Sequence, residues 1–421
     1  MTHEHPAGQL AVAVADRLAQ PAAIDRLLAA EPWRTQSLAH GVPGIALLHI
    51  ELAARDLRPW QRAHDWLAAA TSRPVTSGRD SHLFHGAPAL THVLACAAQT
   101  RPGSYSQALE TMDSAIASDA RRRVEAAHAR IDSGALPALA EFDVIRGLTG
   151  IGRLLLRRDP GGEAMRAVLS YLTRLTEPLT ADDETLPGWW TASGPSGRTD
   201  DRFPGGHANS GMAHGLAGPL ALLSLAALHG VVVDDQLRAI RRLCAWQDRW
   251  RTEGSVWPYW ITRSEHRAGR TGERVVARPS WCYGTAGLAR AQQLAALATG
   301  DAARRAVAED ALSHALTDPR QLAATTDASL CHGHAGLAHV AARVAADAAP
   351  PAAKRLRALI PSLLDAVQAP HTEPGPTAAD ALVDHIGPGV LEGAAGVALA
   401  ALAPATMIPP LAGWDACLLV T

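Results

Sequence analysis

A Gly-x-x-Gly pattern that recurs along the chain constrains its fold more than any other sequence feature. Each motif precedes a stretch rich in alanine and leucine, and their first glycines are Gly41, Gly86, Gly147, Gly215, Gly284, Gly333 and Gly393. The second motif is degenerate, because Ala89 replaces its second glycine. The intervals between successive first glycines, 45 to 69 residues, each hold two helices of about three to four turns with their connections. The sequence therefore predicts seven helix-pair repeats.

The two helices of each repeat are predicted to differ in polarity. Residues 216–228 and 337–346, which follow glycine motifs, are apolar on almost every side, as is typical of buried inner helices. Residues 234–251 and 301–316 carry charges on one face and indicate amphipathic outer helices. Periodicity alone leaves an open superhelix and a closed ring as alternatives, and the apolar inner helices favour the ring. We therefore predict an all-α fold, an α/α toroid of seven inner and seven outer helices, as one domain over residues 1–421.

Charge and hydropathy exclude several classes of protein. A formal net charge of -2 gives no reason to expect nucleic acid as a partner. The longest apolar runs, such as 218–228 and 397–403, are much shorter than the roughly 20 residues of a membrane-spanning helix. Five scattered cysteines do not form a disulfide framework, and the first ten residues lack the pattern of a secretory signal. We expect a cytoplasmic protein with reduced thiols.

Two long intervals, 186–209 and 254–281, interrupt the helical pattern. They are rich in glycine and proline, and they carry Trp189, Trp190, Trp257, Tyr259 and Trp260. Long loops with aromatic side chains are suited to holding a substrate. A loop packed down by its own aromatic residues is the alternative.

Two cysteines occupy the same position in successive motifs. Cys282 lies two residues before Gly284, and Cys331 lies two residues before Gly333 with His332 beside it. Because equivalent positions of successive repeats face a common centre, we expect these three side chains to converge. Thiolate and imidazole are ligands that suit Zn²⁺, and a structural zinc site would normally show a second close pair of ligands. The sequence therefore predicts one zinc ion with an open fourth position.

The two thiolates also indicate the chemistry of such a site. They neutralise the ion, so a further thiolate bound there stays nucleophilic, while zinc keeps that thiol deprotonated far below its free pKa of about 8.5. The predicted site is suited to activating a substrate thiol. The other cysteines, Cys96, Cys244 and Cys417, are predicted to be buried and inert.

Three motifs follow one another along the chain: Asn-Ser-Gly-Met-Ala-His-Gly at 209–215, Trp-Cys-Tyr-Gly at 281–284 and Cys-His-Gly at 331–333. In order and spacing they resemble the lanthionine synthetase C family, the lanthipeptide cyclases, and the resemblance extends from the first glycine motif to the seventh. It implies an α/α toroid with zinc at one end of the central cavity, bound by Cys282, Cys331 and His332. It also implies Michael-type addition of a peptide cysteine thiolate to dehydroalanine or dehydrobutyrine, which closes a lanthionine or methyllanthionine thioether ring.

The resemblance implies three catalytic residues, His214, Asp143 and Arg278. The addition creates an enolate and then requires a proton at the α-carbon, which a histidine can supply or relay. An arginine could stabilise the enolate oxygen or order the site, and Asp143 could orient His214 or accept the thiol proton. The structural alternatives are a helix N-cap for Asp143 and a scaffold or surface role for Arg278. Four other histidines are interpreted as structural, although the third could line the cavity: His40, His85, His207 and His334.

The expected partner is a precursor peptide that a separate dehydratase has already dehydrated, because 421 residues leave no room for a second catalytic domain. Attachment to that dehydratase and to an exporter is compatible with this expectation. No segment is rich enough in strands for a large inserted β domain, and no cofactor besides zinc is expected. Two alternatives stay open: a cyclase-like protein that adds glutathione to dehydrated residues, and a helical toroid that binds a partner without catalysis. A zinc deaminase or a dehydrogenase is disfavoured, because their motifs do not accompany the cysteines.

Overall fold

The chain folds predominantly into α-helices, here in a computed structural model that describes residues 5–252, 256–272, 276–368 and 376–421. In chain order the helices are α1 (Pro6–Arg17), α2 (Asp25–Ala30), α3 (Val42–Ala54), α4 (Trp60–Ala70), α5 (Ala87–Thr100), α6 (Ser106–Asp132), α7 (Leu139–Phe142), α8 (Leu148–Arg158), α9 (Glu163–Leu175), α10 (Ala217–Leu228), α11 (Gln236–Trp250), α12 (Arg263–Ala268), α13 (Thr285–Thr299), α14 (Ala302–Ala315), α15 (Pro319–Ala323), α16 (His334–Asp347), α17 (Pro350–Gln368), α18 (Pro376–Ile386) and α19 (Ala394–Thr406). The strands are β1 (Leu179–Ala181), β2 (Glu184–Leu186), β3 (His207–Asn209) and β4 (Trp260–Thr262). Short 3-10 helices cover Pro21–Ile24, Pro32–Gln36, Gly78–Asp80 and Trp414–Leu418.

A helix begins within two residues of the first glycine of each motif. These motif helices are α3, α5, α8, α10, α13, α16 and α19. Their residues are buried along most of the length, as in α10, where everything from Ala217 to Ala226 is buried. The prediction that each glycine motif starts a buried helix is confirmed, including at the degenerate second motif.

The helices between the motifs are amphipathic, as the charge pattern predicts. In α11 the apolar residues Ala239, Ile240 and Leu243 are buried, whereas the arginines at 238 and 241 are exposed. α14 likewise buries Ala308, Ala311 and Leu312. Burial of each such leucine or isoleucine contributes about 1.5–3 kcal/mol, so one apolar face is enough to hold an outer helix against its neighbour.

One compact unit of the chain consists of residues Met1–Ala115, Thr325–Asp347 and Ala353–Cys417. Within it α19 packs against α1, α3 and α16, and α3 also packs against α4 and α5. The centre of this unit is built from aliphatic side chains of the motif helices, among them Ile45, Leu47 and Leu399, which are fully buried.

A second compact unit consists of residues Ile116–Ala324, Ala348–Ala352 and Leu418–Thr421. Within it α10 packs against α8, α9, α11 and α13, and α13 packs against α14. Leu220, Leu222 and Leu223 of α10 are fully buried in its core.

Two antiparallel strand pairs of three residues each lie beside or within the two long intervals, and the second interval also contains the short helix α12. β1 pairs with β2 immediately before the first interval, and β3 pairs with β4 in the register Ala208↔Ile261, which joins the first interval to the second. The sequence pattern indicated neither strand pair, because strands this short show no alternation. Trp189, Trp190 and Trp257 are at most 2% exposed, so these three side chains are part of the packed interior. Gly254 of the second interval lies outside the described residues.

Two motif glycines are required because backbone atoms approach them too closely for a side chain. A Cβ on Gly284 would lie 2.1 Å from the Ser280 nitrogen, and one on Gly333 would lie 2.2 Å from the Ser329 nitrogen. Such distances leave no room for a methyl group. The prediction that these glycines permit close backbone approach is confirmed. The same close approach shapes the turns that carry Cys282 and Cys331.

Within the described ranges, no helix is both long and apolar enough to cross a membrane.

Candidate metal centre and active site

Cys282 lies on a tight turn immediately before α13. The Ser280 hydroxyl accepts hydrogen bonds from the backbone N–H of Tyr283 at 3.3 Å and of Gly284 at 3.1 Å. The Cys282 Sγ is 3.5 Å from the same hydroxyl, and the residue is only 6% exposed. The serine thus fixes the turn and the direction of the thiol.

Cys331 and His332 lie on a turn of the same design before α16. The Ser329 hydroxyl accepts from the His332 backbone N–H at 3.2 Å, and the Cys331 N–H donates to the Leu391 carbonyl at 2.8 Å. The sequence Ser-x-Cys-x-Gly is therefore common to both cysteine turns, at 280–284 and 329–333. The two cysteines occupy equivalent positions because each serine hydroxyl accepts a hydrogen bond from the backbone N–H three residues later and so fixes the same turn.

The structure brings the three predicted ligands together. Cys282, Cys331 and His332 each offer one ligand atom, and these atoms all lie within 4.8 Å of one another. Neither cysteine is part of a disulfide. In a tetrahedral zinc site, ligand atoms about 2.0–2.3 Å from the ion lie about 3.5–3.8 Å apart, so binding of the ion would draw these three atoms together by up to about 1.3 Å. The three residues form a candidate metal site.

Two carboxylates lie next to His332. Asp327 Oδ2 is 3.3 Å from Nε2 of the imidazole, and Glu392 Oε1 is 3.9 Å from Nδ1. Their side chains differ in exposure, 30% for Asp327 and 57% for Glu392. Neither carboxylate was predicted from the sequence, although Asp327 is the acidic residue nearest to Cys331 in the chain, and this proximity was the available signal.

His214 and Asp143 form a hydrogen-bonded pair. Nδ1 of His214 lies 2.7 Å from Asp143 Oδ2, and the carboxylate is 2% exposed. Because an ionised carboxylate only accepts, Nδ1 carries the donated proton and Nε2 is left available for chemistry. Asp143 Oδ1 also accepts from the backbone N–H groups of Arg146 and Gly147, at 2.6 and 2.8 Å, before α8. The N-cap of α8 is Gly147, without a side-chain cap, so the predicted N-cap role of Asp143 is wrong. The carboxylate instead holds the turn before the helix and contacts His214.

The segment that carries His214 is bonded to the turn that carries Cys282. The backbone N–H of Ala213 donates to the Cys282 carbonyl at 3.1 Å, and the His214 ring lies 6.0 Å from the Tyr283 ring. A Cβ on Gly211 would come within 2.6 Å of the same carbonyl, so the approach of the two backbones requires glycine there. His214 is thereby held beside the candidate metal site.

Arg278 is partly buried, four residues before Cys282. Its carbonyl accepts hydrogen bonds from the Tyr259 hydroxyl at 2.7 Å and from the Ser280 N–H at 2.9 Å. Burial raises the pKa of Tyr259 to about 12, so this residue is a neutral phenol that can donate at physiological pH. The hydrogen bond from Tyr259 therefore fixes the backbone of Arg278.

A row of aromatic rings extends from His214. The ring centroids of Tyr283 and Trp260 are 6.2 Å apart, and those of Trp260 and Phe203 are 5.3 Å apart. Tyr283 and Trp260 are both partly exposed. Trp260 was predicted as a loop aromatic, whereas Tyr283 was not predicted as a site residue, although its position next to Cys282 was an available signal.

His207 does not line an open site. It is fully buried and its Nδ1 donates to the Ser193 carbonyl at 2.8 Å. Burial lowers the pKa of His207 to about 4, so the ring is neutral at physiological pH. The interpretation of His207 as structural is confirmed, and the suggestion that it lines the cavity is wrong.

The remaining cysteines are buried, as predicted for inert thiols. Cys96, Cys244 and Cys417 are at most 2% exposed. Burial raises the pKa of Cys244 to about 12, which keeps it a thiol. Burial also lowers the pKa of His40 and of His85, in agreement with structural roles. Nδ1 of His334 lies 3.1 Å from the Asp327 carbonyl on its own turn.

Comparison with known proteins agrees with this geometry. The model of the family described as Lanthionine synthetase C-like protein matches residues 32–419. The chain belongs to the lanthionine synthetase C-like family. One member with which it aligns is the nisin biosynthesis protein NisC of Lactococcus lactis subsp. lactis, at 25% identity over 315 residues, 72% of each chain.

The fold of this lanthionine synthetase C-like chain is also that of a solved structure, nisin cyclase. The two superpose with a TM-score of 0.74 at 21% sequence identity, over 94% of this chain and 96% of the other. The predicted all-α fold class is confirmed. At this identity the match speaks for the fold alone.

Proposed function

We propose that this protein is a zinc-dependent lanthipeptide cyclase. It joins a cysteine thiol of a dehydrated peptide to the β-carbon of dehydroalanine or dehydrobutyrine and so closes a thioether ring. The observation that carries the proposal is the convergence of the Cys282, Cys331 and His332 ligand atoms within 4.8 Å of one another. Family membership and the alignment with a nisin biosynthesis protein support the same reaction.

The chemistry of the donor set fits Zn²⁺. Two sulfurs and one imidazole nitrogen are ligands that zinc prefers, and three protein ligands leave the fourth position of a tetrahedral site for substrate. Both cysteines are almost fully buried and neither is in a disulfide. When bound here, zinc supplies deprotonation of the substrate thiol at neutral pH while the two thiolate ligands preserve its nucleophilicity.

We propose that His214 gives or relays the proton that completes the reaction. Addition forms the S–C bond at the β-carbon and breaks the C=C π bond, and the α-carbon takes up a proton. The His214 side chain is 32% exposed and can meet a substrate, and its Nε2 is directed to chemistry because Nδ1 is bonded to Asp143. Asp143 stabilises the protonated imidazole and fixes its orientation.

Arg278 is proposed to stabilise the negative charge that develops on the enolate oxygen. A guanidinium provides several N–H donors and keeps its charge at any physiological pH. Its backbone is held by Tyr259 and Ser280 on the segment that leads into the Cys282 turn. This arrangement supports a position of Arg278 at the same site.

The proposed substrate is a peptide that a separate dehydratase has modified, and the proposed unit of function is the whole seven-repeat chain as a single domain. We place the reaction in the cytoplasm, where thiol ligands stay reduced. A complex with the dehydratase and an exporter would bring the dehydrated peptide to the enzyme.

The test uses a synthetic peptide that contains one dehydrobutyrine and one cysteine, with glutathione as a competing thiol. Ring closure leaves the mass unchanged, removes the alkylatable thiol and blocks fragmentation within the ring, whereas addition of glutathione raises the mass by one glutathione. We expect ring closure well above the rate without protein. Glutathione adducts without rings would favour the small-thiol alternative, and no reaction by the zinc-loaded protein would contradict both enzymatic functions.

A further inference from the structure

The imidazole of His332 has a carboxylate near each of its two nitrogens. Asp327 Oδ2 lies 3.3 Å from Nε2 and Glu392 Oε1 lies 3.9 Å from Nδ1. A neutral histidine that binds a metal uses one nitrogen and carries its proton on the other. The carboxylate that accepts this proton therefore decides which nitrogen faces the ion.

We propose that Asp327 is the positioning residue of the metal site: it accepts the Nε2–H of His332 and leaves Nδ1 as the ligand nitrogen. This inference rests on the proposed binding of zinc by His332. The distance supports it, because 3.3 Å becomes a hydrogen bond with a small rotation of either side chain, whereas 3.9 Å on the Glu392 side is outside that range.

Asp327 is itself held in place by the turn that carries the ligands. Its Oδ1 accepts from the Ser329 backbone N–H at 2.8 Å, and its carbonyl accepts from the His334 N–H at 3.0 Å. A Cβ on Gly333 would come within 2.4 Å of Asp327 Oδ1, so the carboxylate is packed against the glycine of the motif. With Oδ1 engaged in the turn, Oδ2 is the oxygen directed to His332.

Glu392 lacks such support. Its side chain is 57% exposed, and it comes from a different segment, directly before Gly393. A solvent-exposed carboxylate keeps much of its hydration and its rotamer freedom, so it orients a neighbouring ring poorly. Asp327 is the better orienting group of the two.

A carboxylate that accepts the proton of a metal-bound histidine fixes the tautomer, orients the ring and makes the ligand nitrogen more basic. Loss of such a partner typically lowers metal affinity by about 10- to 100-fold. The effect is expected on zinc affinity itself, in the absence of any peptide substrate.

The experiment compares Asp327→Asn with Glu392→Gln as the matched control. Asparagine keeps the size of the side chain and an oxygen that can bind the Ser329 N–H, but it loses the charge opposite His332. We expect zinc affinity, measured by competition with a chelator, to fall by about 10- to 100-fold in Asp327→Asn and to change less than about 3-fold in Glu392→Gln. Without zinc, the melting temperature should be the same for wild type, Asp327→Asn and Glu392→Gln.

Equal zinc affinity in Asp327→Asn and wild type, or a larger loss in Glu392→Gln, would overturn the inference. A drop in the melting temperature of zinc-free Asp327→Asn that accounts for its lost affinity would show a structural role instead. A measurement on the unmodified zinc-loaded protein decides independently: long-range ¹H–¹⁵N correlation should show the His332 proton on Nε2, and a proton on Nδ1 contradicts the assignment. Wild-type protein that binds no zinc would instead refute the proposed function.

Discussion

The His214 imidazole and the Asp143 carboxylate meet at 2.7 Å although 71 residues separate them in the chain. Asp143 uses one oxygen for His214 and the other for the backbone turn before α8. Asp143, which precedes the motif helix α8, therefore orients His214, which precedes the next motif helix, α10. This pair and the three candidate zinc ligands together form the proposed active site.

The substitution Asp143→Asn tests the pair. The amide retains an oxygen for the Arg146 and Gly147 N–H groups, but it places an N–H opposite His214 and removes the charge that stabilises an imidazolium. We expect the rate of ring closure to fall by about 10²–10⁴-fold, with zinc content unchanged. Single-turnover assays check this.

The matched control for that prediction is His214→Asn, alone and combined with Asp143→Asn. If the two residues act as a unit, the double variant loses no more activity than His214→Asn alone. Losses that multiply in the double variant would show that Asp143 and His214 act separately.

Periodicity in the sequence was sufficient to predict where the motif helices begin. Glycine, alanine and leucine recur with the repeat, and the cysteines of Ser-x-Cys-x-Gly share its register, so the prediction that Cys282 and Cys331 converge follows from local sequence. The pairing of His214 with Asp143 was suggested only by family resemblance, because no local pattern encodes a contact over 71 residues. The single-domain organisation and the roles of His214, Asp143 and Arg278 stay predictions.

Other parts of the site depend on tertiary contacts that leave no periodic trace. The pairing of β3 with β4 joins two loops by three residues each, which is too short for alternation to show. Asp327 has no sequence mark that separates it from other turn-forming aspartates, and its relevance appears only when Oδ2 is seen beside His332. The tryptophans at 189, 190 and 257 could equally have faced a substrate until their burial was known.

Gly284→Ala tests the close approach that shapes the Cys282 turn. The added methyl group would lie 2.1 Å from the Ser280 nitrogen and 2.4 Å from the Arg278 carbonyl oxygen, both backbone atoms. The turn has to move, so we expect zinc affinity to fall by at least about 10-fold and the melting temperature to drop. Gly161→Ala is the control, because nothing lies within 4 Å of its added Cβ. An equal effect of both substitutions would argue against the steric explanation.

Acid sensitivity is expected from buried histidines such as His207. Burial lowers its pKa to about 4 from 6.5, so between these values the unfolded chain binds a proton that the folded protein does not. The free energy of unfolding should therefore fall as pH is lowered from about 6.5 to about 4, by up to about 3 kcal/mol for this group. Urea titrations across this range should show a shallower pH dependence in His207→Gln; an unchanged slope would contradict the assignment.

Asp415→Asn should destabilise the fold strongly. The fully buried carboxylate accepts from Arg343 Nε at 2.6 Å and Nη2 at 2.9 Å and lies 2.8 Å from His339 Nε2. Loss of its charge removes the carboxylate that is hydrogen-bonded to Arg343, at a cost of about 3–5 kcal/mol in the free energy of unfolding. The exposed pair Arg238–Asp235 offers the control, since Asp235→Asn should cost less than about 1 kcal/mol. Comparable unfolding midpoints for the two variants would contradict the buried-pair explanation.

The most direct test of the account is zinc content measured together with ring closure, in wild type and Cys331→Ala, with Cys96→Ala as a control at a buried cysteine outside the site. We expect one zinc per wild-type and Cys96→Ala chain, and loss of both zinc and ring closure in Cys331→Ala. We also expect that a chelator stops the wild-type reaction and that added zinc restores it. Ring closure at the wild-type rate by zinc-free Cys331→Ala would contradict the central claim.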